Sequence, residues 1–481
     1  MTGEQHVVEA RSFDHVPESE RTGTVARQFQ FWFMVNATLI TAFTGAVGPL
    51  FHLGLPATLI AVVSGSVFGT LFQAFHGAQG PRMGLPQMIQ SRVQFGSRGA
   101  VIPIGVATVV YFGFSIFYLQ TGATSVVTLA GGDTHVLEIV LGVVATLLAI
   151  VGYSLILRTQ SLLAWVTVAN LVALTVAAVT QLPVGRLMHD GSWTLTGFLA
   201  QFGAAAGYQI AIAPLVSDYT RYLPSRTRSA AVSGAVFFGT LLSAVWIEFL
   251  GAAVALSYPD LDVISGIGRL GDRFGSWLGT TTLVVSALTC VVTGAVALYS
   301  GAVSFLSTLE AFRPLRSTAL LRTVTLTVAG AAVIVAGLAL PDDILATFSV
   351  FLVLLGYLLI PWTAINLTDY YLVRRGRYSI TDIVRSDGGM YGPWNVRGMT
   401  SYIVGLATMV PFFSTSLYTG PAAAALHGAD IAFAIGLAVS STCYVLLMRS
   451  HNLDAEFLLV QRAPVNTLDP EPDKNTEAVD A

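Results

Sequence analysis

Apolar stretches of about 20 residues, separated by short polar loops, recur along most of the chain. At about 1.5 Å of rise per residue, each is long enough to cross the hydrocarbon of a bilayer as a helix. The pattern predicts twelve spans, at 29–51, 57–76, 101–127, 136–156, 161–181, 195–214, 230–256, 276–306, 321–340, 344–366, 399–417 and 430–448. Left in water, this much apolar surface would aggregate. The expected protein is an all-α integral membrane bundle, with a polar segment at 1–28, a transmembrane domain at 29–450 and a tail at 451–481. That tail is acidic and contains proline, so disorder is expected there.

Two of the spans carry polar groups at midspan depth. The first holds Asn36, Thr38, Thr41 and Thr44; the sixth holds Gln201, Gly203, Gly207, Gln209 and Pro214. Polar groups in hydrocarbon need partners or water. Small residues also let helices pack closely, and for the sixth span alone that reading competes evenly with a binding site. The two lie five spans apart, in matching places of a 5+5 division. Such a matched pair points to a transporter with two broken helices around a midplane site.

Charge orients the bundle. Nineteen arginines fall at the N-terminus and in alternate loops, from Arg11 to Arg449, and Arg462 and Lys474 follow in the tail. Only Arg186, Arg269 and Arg273 fall on the other side. That 21-to-3 division places both termini in the cytoplasm of a plasma-membrane protein. The arginines are topological signals, so the net charge of −3 implies no nucleic-acid partner. Residues 1–28 have no apolar core and do not read as a signal peptide. Cys290 and Cys443 both sit inside spans and read as packing thiols.

The loops leave no room for a soluble domain, and midspan positions show no metal cluster, paired acids or Ser/Lys dyad. No enzyme, cofactor or bound metal is expected, and function must lie between helices. His76 reads as an interfacial residue. Asp218 and Asp369, at helix ends beside arginines, read as gate or folding contacts.

Four stretches carry a resemblance. They are Gly84, Pro86, Gln87, Gln90 and Arg92 with Gln94, Gly96 and Arg98; Pro214, Ser217, Asp218, Tyr219, Arg221, Tyr222 and Pro224; Pro361, Trp362, Asn366, Asp369, Tyr370 and Tyr371; and Gly420, Pro421, Gly428 and Asp430. Together they resemble the nucleobase:cation symporter-1 family of cytosine, purine, allantoin and hydantoin permeases, and most of all its purine–cytosine branch. The resemblance implies a 5+5 inverted-repeat (LeuT-like) bundle with broken helices 1 and 6 and two appended helices. It also implies alternating access, with helices 1, 2, 6 and 7 rocking against 3, 4, 8 and 9, and secondary import of a nucleobase or related heterocycle by a monomer.

A nucleobase is a flat neutral ring, and stacking on an aromatic side chain is worth about 1–3 kcal/mol per base. At the family's two aromatic positions stand Tyr111 and Tyr208, where many relatives carry tryptophan. Asn36, Thr38, Ser115 and Gln209 are the expected edge contacts, with Gly207 beside them in the site; stabilising unwound backbone is the competing reading of Gln209. In the eighth span the resemblance frays: two asparagines common in relatives are replaced by Gly294 and Ala297, leaving Thr293 as the nearest polar group. Sodium-coupled relatives hold the ion between first-span carbonyls, here near Met34 and Ala37, and eighth-span hydroxyls. Those hydroxyl positions fall near Val291 and Val292, with Thr289 and Thr293 adjacent. Valine supplies no ligand for a hard cation, so a proton is favoured over sodium as the coupling ion. Glu248, the one carboxylate deep within a span, is the candidate proton carrier; a structural acid held between helices is the competing reading. Other functions compatible with the pattern are transport of an allantoin-, hydantoin- or vitamin-like compound on the same fold, and a sensor that binds without transport.

Overall fold

A computed structural model describes residues 15–151, 153–312 and 318–462. Within them the chain is helical, apart from turns, loops and a single bridge between Ser414 and Thr419. The longer helices are α1 (Val25–Asn36), α2 (Leu39–Gly45), α3 (Leu55–Gly77), α4 (Val101–Ala130), α5 (Thr134–Val151), α6 (Tyr153–Gln181), α7 (Leu195–Ile212) and α8 (Ser229–Ser257). They continue with α9 (Val263–Phe274), α10 (Ser276–Glu310), α11 (Ala319–Leu338), α12 (Ile344–Thr368), α13 (Val396–Met409), α14 (Ala432–Met448) and α15 (Leu453–Arg462).

Among the described residues, nine helices are long and apolar enough to cross a membrane, or ten if α14 and Leu453–Gln461, bent by 80°, form one span. The count falls short of the expected twelve for local reasons. The first span is divided between α1 and α2. In the eleventh, α13 has 14 residues, about 21 Å of helix, before a 3-10 turn at Val410–Phe412.

The division of the first span has a clear cause. Thr38 is extended, at φ −134° and ψ 154°, and the ladder stops at Ala37. The freed Asn36 carbonyl accepts instead from Thr38 N at 2.8 Å and from Thr41 Oγ1 at 2.7 Å. A neighbouring backbone N–H and the Thr41 hydroxyl thus satisfy the freed carbonyl, as interrupted helix at membrane depth requires.

The sixth span differs from its expectation. α7 runs unbroken through Gly203, Gly207 and Gln209 to Ile212. Pro214, which has no N–H to donate, shifts Ala213–Leu215 to a 3-10 turn before the helix resumes at Val216–Thr220. The tail also differs. Residues 453–462 form a docked helix, in which Glu456 is buried against Arg374; the tail from 463 and the segment 1–14 lie outside the described residues.

Packing sorts the helices into two bodies. In one, α3 lies against α7 and α8, and α8 against α1 and α2. In the other, α4 and α10 share the most extensive contact of the molecule, with α5 and α11 behind them. Glycines set the closest crossing of the first body. A Cβ on Gly45 would lie 1.9 Å from the Glu248 carbonyl oxygen, and one on Gly251 would lie 2.0 Å from that of Ala42. Contacts between the bodies are sparser, and the main cavity lies along that seam.

Candidate substrate cavity

A cavity of about 570 Å³ extends from the break between α1 and α2 to α4, α6, α7 and α10. Its aromatic walls are Tyr111, Phe114 and Tyr118 from α4 and Tyr208 from α7. Thr38, Thr289, Thr293 and Ser300 add hydroxyls. Tyr208 is buried, its ring edge-on to Phe114 at 5.8 Å between centroids, and its Oη lies 3.0 Å from Thr41 Oγ1. The cavity's rim on the α1 side carries Arg27, Phe29, Gln30 and Trp165, all exposed. Toward the Gly45 end of α2 an aromatic cluster closes over it. Phe348 of α12 meets Phe43 at 6.3 Å, Phe114 at 6.4 Å and Phe117 at 5.0 Å. A smaller space of about 90 Å³ adjoins the cavity at Tyr111, Leu215, Tyr219 and Ser300, and leads to Asp218 and Arg221.

Residues 15–436 match the sequence profile of a family described as permeases for cytosine/purines, uracil, thiamine and allantoin. The chain belongs to this family. A putative purine-cytosine permease of Bacillus subtilis is 35% identical to the permease over 452 residues, covering 92% of this chain and 96% of that one. A purine-cytosine permease of Saccharomyces cerevisiae is 24% identical over 91% of this chain and 85% of its own length. Among solved structures, a nucleobase-cation-symport-1 family transporter, closed with bromovinylhydantoin bound, superposes with a TM-score of 0.72 at 18% identity, covering 95% of this chain and 97% of that one. The inward-facing conformation of that transporter gives the same TM-score, 0.72, at 19% identity over 99% of each chain. The permease is therefore a multi-pass membrane transporter with this helical fold, and not an enzyme.

Of the site residues expected in the permease, Met34, Ala37, Thr38, Tyr111, Tyr208, Thr289 and Thr293 line the cavity together. Asn36, Ser115, Gly207, Gln209 and Glu248 do not. Asn36 Nδ2 donates to Gln209 Oε1 at 3.3 Å and to the Thr240 carbonyl at 3.1 Å. Gln73 Nε2 donates to the same Gln209 oxygen at 3.1 Å. The amides thus knit α1, α3, α7 and α8 together behind the cavity wall. Ser115 Oγ donates to the Gly294 carbonyl at 3.0 Å and so joins α4 to α10. Gly207 faces away: a Cβ there would lie 2.8 Å from the Leu352 carbonyl oxygen, and the residue borders a separate space of about 200 Å³ between α7 and α12. Glu248 is fully buried, accepts from Ser66 Oγ at 2.9 Å through Oε2, and its Oε1 has no partner among the described residues. Val292 lines the cavity at a position where the family resemblance implies a cation-binding hydroxyl, while Thr289 Oγ1 lies 3.4 Å from Thr167 Oγ1.

Residues missed by the sequence reading were reachable by helical periodicity. Tyr118 stands seven residues after Tyr111 and Ser300 seven after Thr293, two turns along the same faces. His76 corrects an expectation outright. It is buried, stacks on Trp362 at 4.8 Å and 8°, accepts at Nδ1 from Gln87 Nε2 at 3.1 Å, and donates from Nε2 to Thr363 Oγ1 at 2.6 Å. The motif residues form a hydrogen-bond chain from there. Gln87 donates to Gln79, Gln79 to Asn366, Asn366 to Gln94 and Gln94 to Asp369. Asp218 joins it through Gln87 N at 2.8 Å.

Proposed function

We propose that the permease imports a nucleobase, cytosine or a purine, by cation-coupled alternating access, with a proton favoured over sodium. The observation that carries this reading is the cavity at the seam, with Tyr111 on one body and Tyr208 on the other. Two aromatic faces and a ring of hydroxyls suit a flat neutral heterocycle, which gains from stacking on each face. A zwitterion would want a charged partner, and among the described residues the only charge lining the cavity is Arg27 at its rim. We read the chain as twelve crossings of a 5+5 inverted repeat, with the α1–α2 break as one half of the pair and both termini cytoplasmic. In that orientation the cavity opens inward and the Phe348 cluster is the closed outer gate.

The proton is favoured because Val291 and Val292 leave the eighth span poor in cation ligands, and Glu248 is the carrier we assign. It stands behind the cavity wall, against the Gly45 crossing, so its protonation acts on the packing of α2 and α8 and not on the ligand directly. The protein is read as working as a monomer.

The test is uptake of labelled cytosine, adenine, hypoxanthine and uracil into proteoliposomes under an imposed proton gradient, with and without sodium. Accumulation that collapses with a protonophore and ignores sodium is expected. Uptake that needs sodium overturns the proton assignment, and folded protein that takes up none of the bases overturns the substrate class.

A further inference from the structure

The Tyr208 hydroxyl, on the cavity wall, has its proton direction set by Thr41 behind it. Thr41 Oγ1 lies 2.7 Å from the Asn36 carbonyl oxygen and 3.0 Å from Tyr208 Oη. A carbonyl oxygen only accepts, so the single Thr41 hydroxyl proton points at Asn36. Tyr208 can then pair with Thr41 only as the donor. With its proton committed there, Tyr208 Oη has lone pairs and no proton to offer a ligand. The arrangement depends on the break in the first span, which frees the Asn36 carbonyl. Thr41 itself is fully buried and is not part of the cavity wall. Thr38 and Tyr118, which do line the wall, bring their hydroxyls close to the same Tyr208 oxygen, and Thr38 Oγ1 completes no hydrogen bond of good geometry among the described residues, so its proton can turn to a ligand.

We propose that Thr41 is a positioning residue that sets substrate specificity: through Tyr208 it makes the cavity an acceptor for the exocyclic amino group of a bound heterocycle. Adenine and cytosine carry an amino group beside an unprotonated ring nitrogen, matching a fixed acceptor and a free hydroxyl donor. Hypoxanthine and uracil put a carbonyl oxygen in the amino position, facing the Tyr208 lone pairs. The inference rests on the heterocycle reading above.

The experiment measures binding of adenine against hypoxanthine, and of cytosine against uracil, to the purified full-length protein. The wild type is expected to prefer the amino member of each pair by at least about tenfold, the effect of leaving one buried polar contact mispaired. Thr41→Val releases the Tyr208 proton to rotate, and the preference falls to within about threefold, while Thr41→Ser restores it. A purely structural role for Thr41 would weaken both members of a pair together and leave their ratio unchanged. Tyr208→Phe removes the acceptor and collapses the ratio by a second route, so the inference stays testable if the valine variant does not fold. A wild-type ratio near one, or a ratio that Thr41→Val and Tyr208→Phe leave intact, overturns the Thr41 assignment alone. Wild-type protein that binds none of the four bases overturns the heterocycle reading, and this inference with it.

Discussion

Arg374 Nη1 lies 2.5 Å from Asp369 Oδ1, and both side chains are out of contact with solvent. The same guanidinium donates from Nε to Glu456 Oε1 at 2.7 Å, which fastens α15 to the end of α12. Tyr444 and Tyr378 each donate to Asp369, at 2.9 and 3.0 Å. Arg374→Ala would leave two buried carboxylates facing each other, and removing one partner of a buried pair costs about 3–5 kcal/mol. Thermal unfolding in detergent should show a large downward shift for Arg374→Ala and a smaller one for Glu456→Gln, which keeps a hydrogen-bonding group. Equal melting of wild type and Arg374→Ala would remove the cluster from the stability account.

Gly45 and Gly251 make the tightest approach between α2 and α8, and neither site has room for a methyl group. Overpacking a close contact costs about 1–3 kcal/mol. Gly45→Ala should lower both thermal stability and transport, and Gly105→Ala, where a Cβ meets nothing within 4 Å, should change neither. Indistinguishable behaviour of the two variants would contradict the crossing as drawn.

The closed aromatic cluster predicts sidedness. In a variant without Cys290 and Cys443, a Thr38→Cys thiol should react with a membrane-impermeant reagent applied from the side of the N-terminus and resist it from the other. Adding Phe348→Ala should open the second route. Reaction from both sides before that change would mean that the cluster is no barrier.

Stacking predicts a graded loss. Tyr111→Ala should weaken binding of a transported base by about 1–3 kcal/mol, roughly 5- to 150-fold in Kd. Tyr111→Phe should retain most of it. A Kd for Tyr111→Ala equal to that of wild type would take Tyr111 out of the site.

Glu248→Gln tests coupling separately from binding. The glutamine can still accept from Ser66 but cannot carry a proton, so accumulation under a proton gradient should be lost while exchange of internal for external base persists. Undiminished accumulation would leave Glu248 as a structural acid.

Much of the bundle was legible because hydropathy is a local property: a window of about 20 residues decides whether a helix can span. The polar run of the first span was legible for the same reason, since Asn36, Thr38 and Thr41 fall within a few residues and the Thr41 hydroxyl meets the Asn36 carbonyl locally. The sixth span looked alike in composition, yet its glycines and amides answer to remote partners. Gly207 makes room for the Leu352 carbonyl, and Gln209 is occupied by Asn36 and Gln73, more than 130 positions earlier in the chain. Ser115 likewise looked available until α10 placed the Gly294 carbonyl beside it. His76 lies near a helix end, where an interfacial place is expected, and nothing local foretells that Trp362 and Thr363 cover it. Residue type identified the polar groups, and only the packing decided which ones a ligand can reach.

If the two bodies rock as proposed, the seam between them makes the cavity's width a variable of the protein and not a constant. Tyr111 belongs to one body and Tyr208 to the other, so a ring held against both acts as a spacer. Its thickness sets the distance at which the bodies come to rest. A flat base lets them draw together, whereas a ligand with an out-of-plane substituent, however well its edge is recognised, wedges them apart. Such a compound would occupy the cavity and stop the cycle, and inhibitors of this permease would differ from its cargo in thickness before they differed in hydrogen bonding.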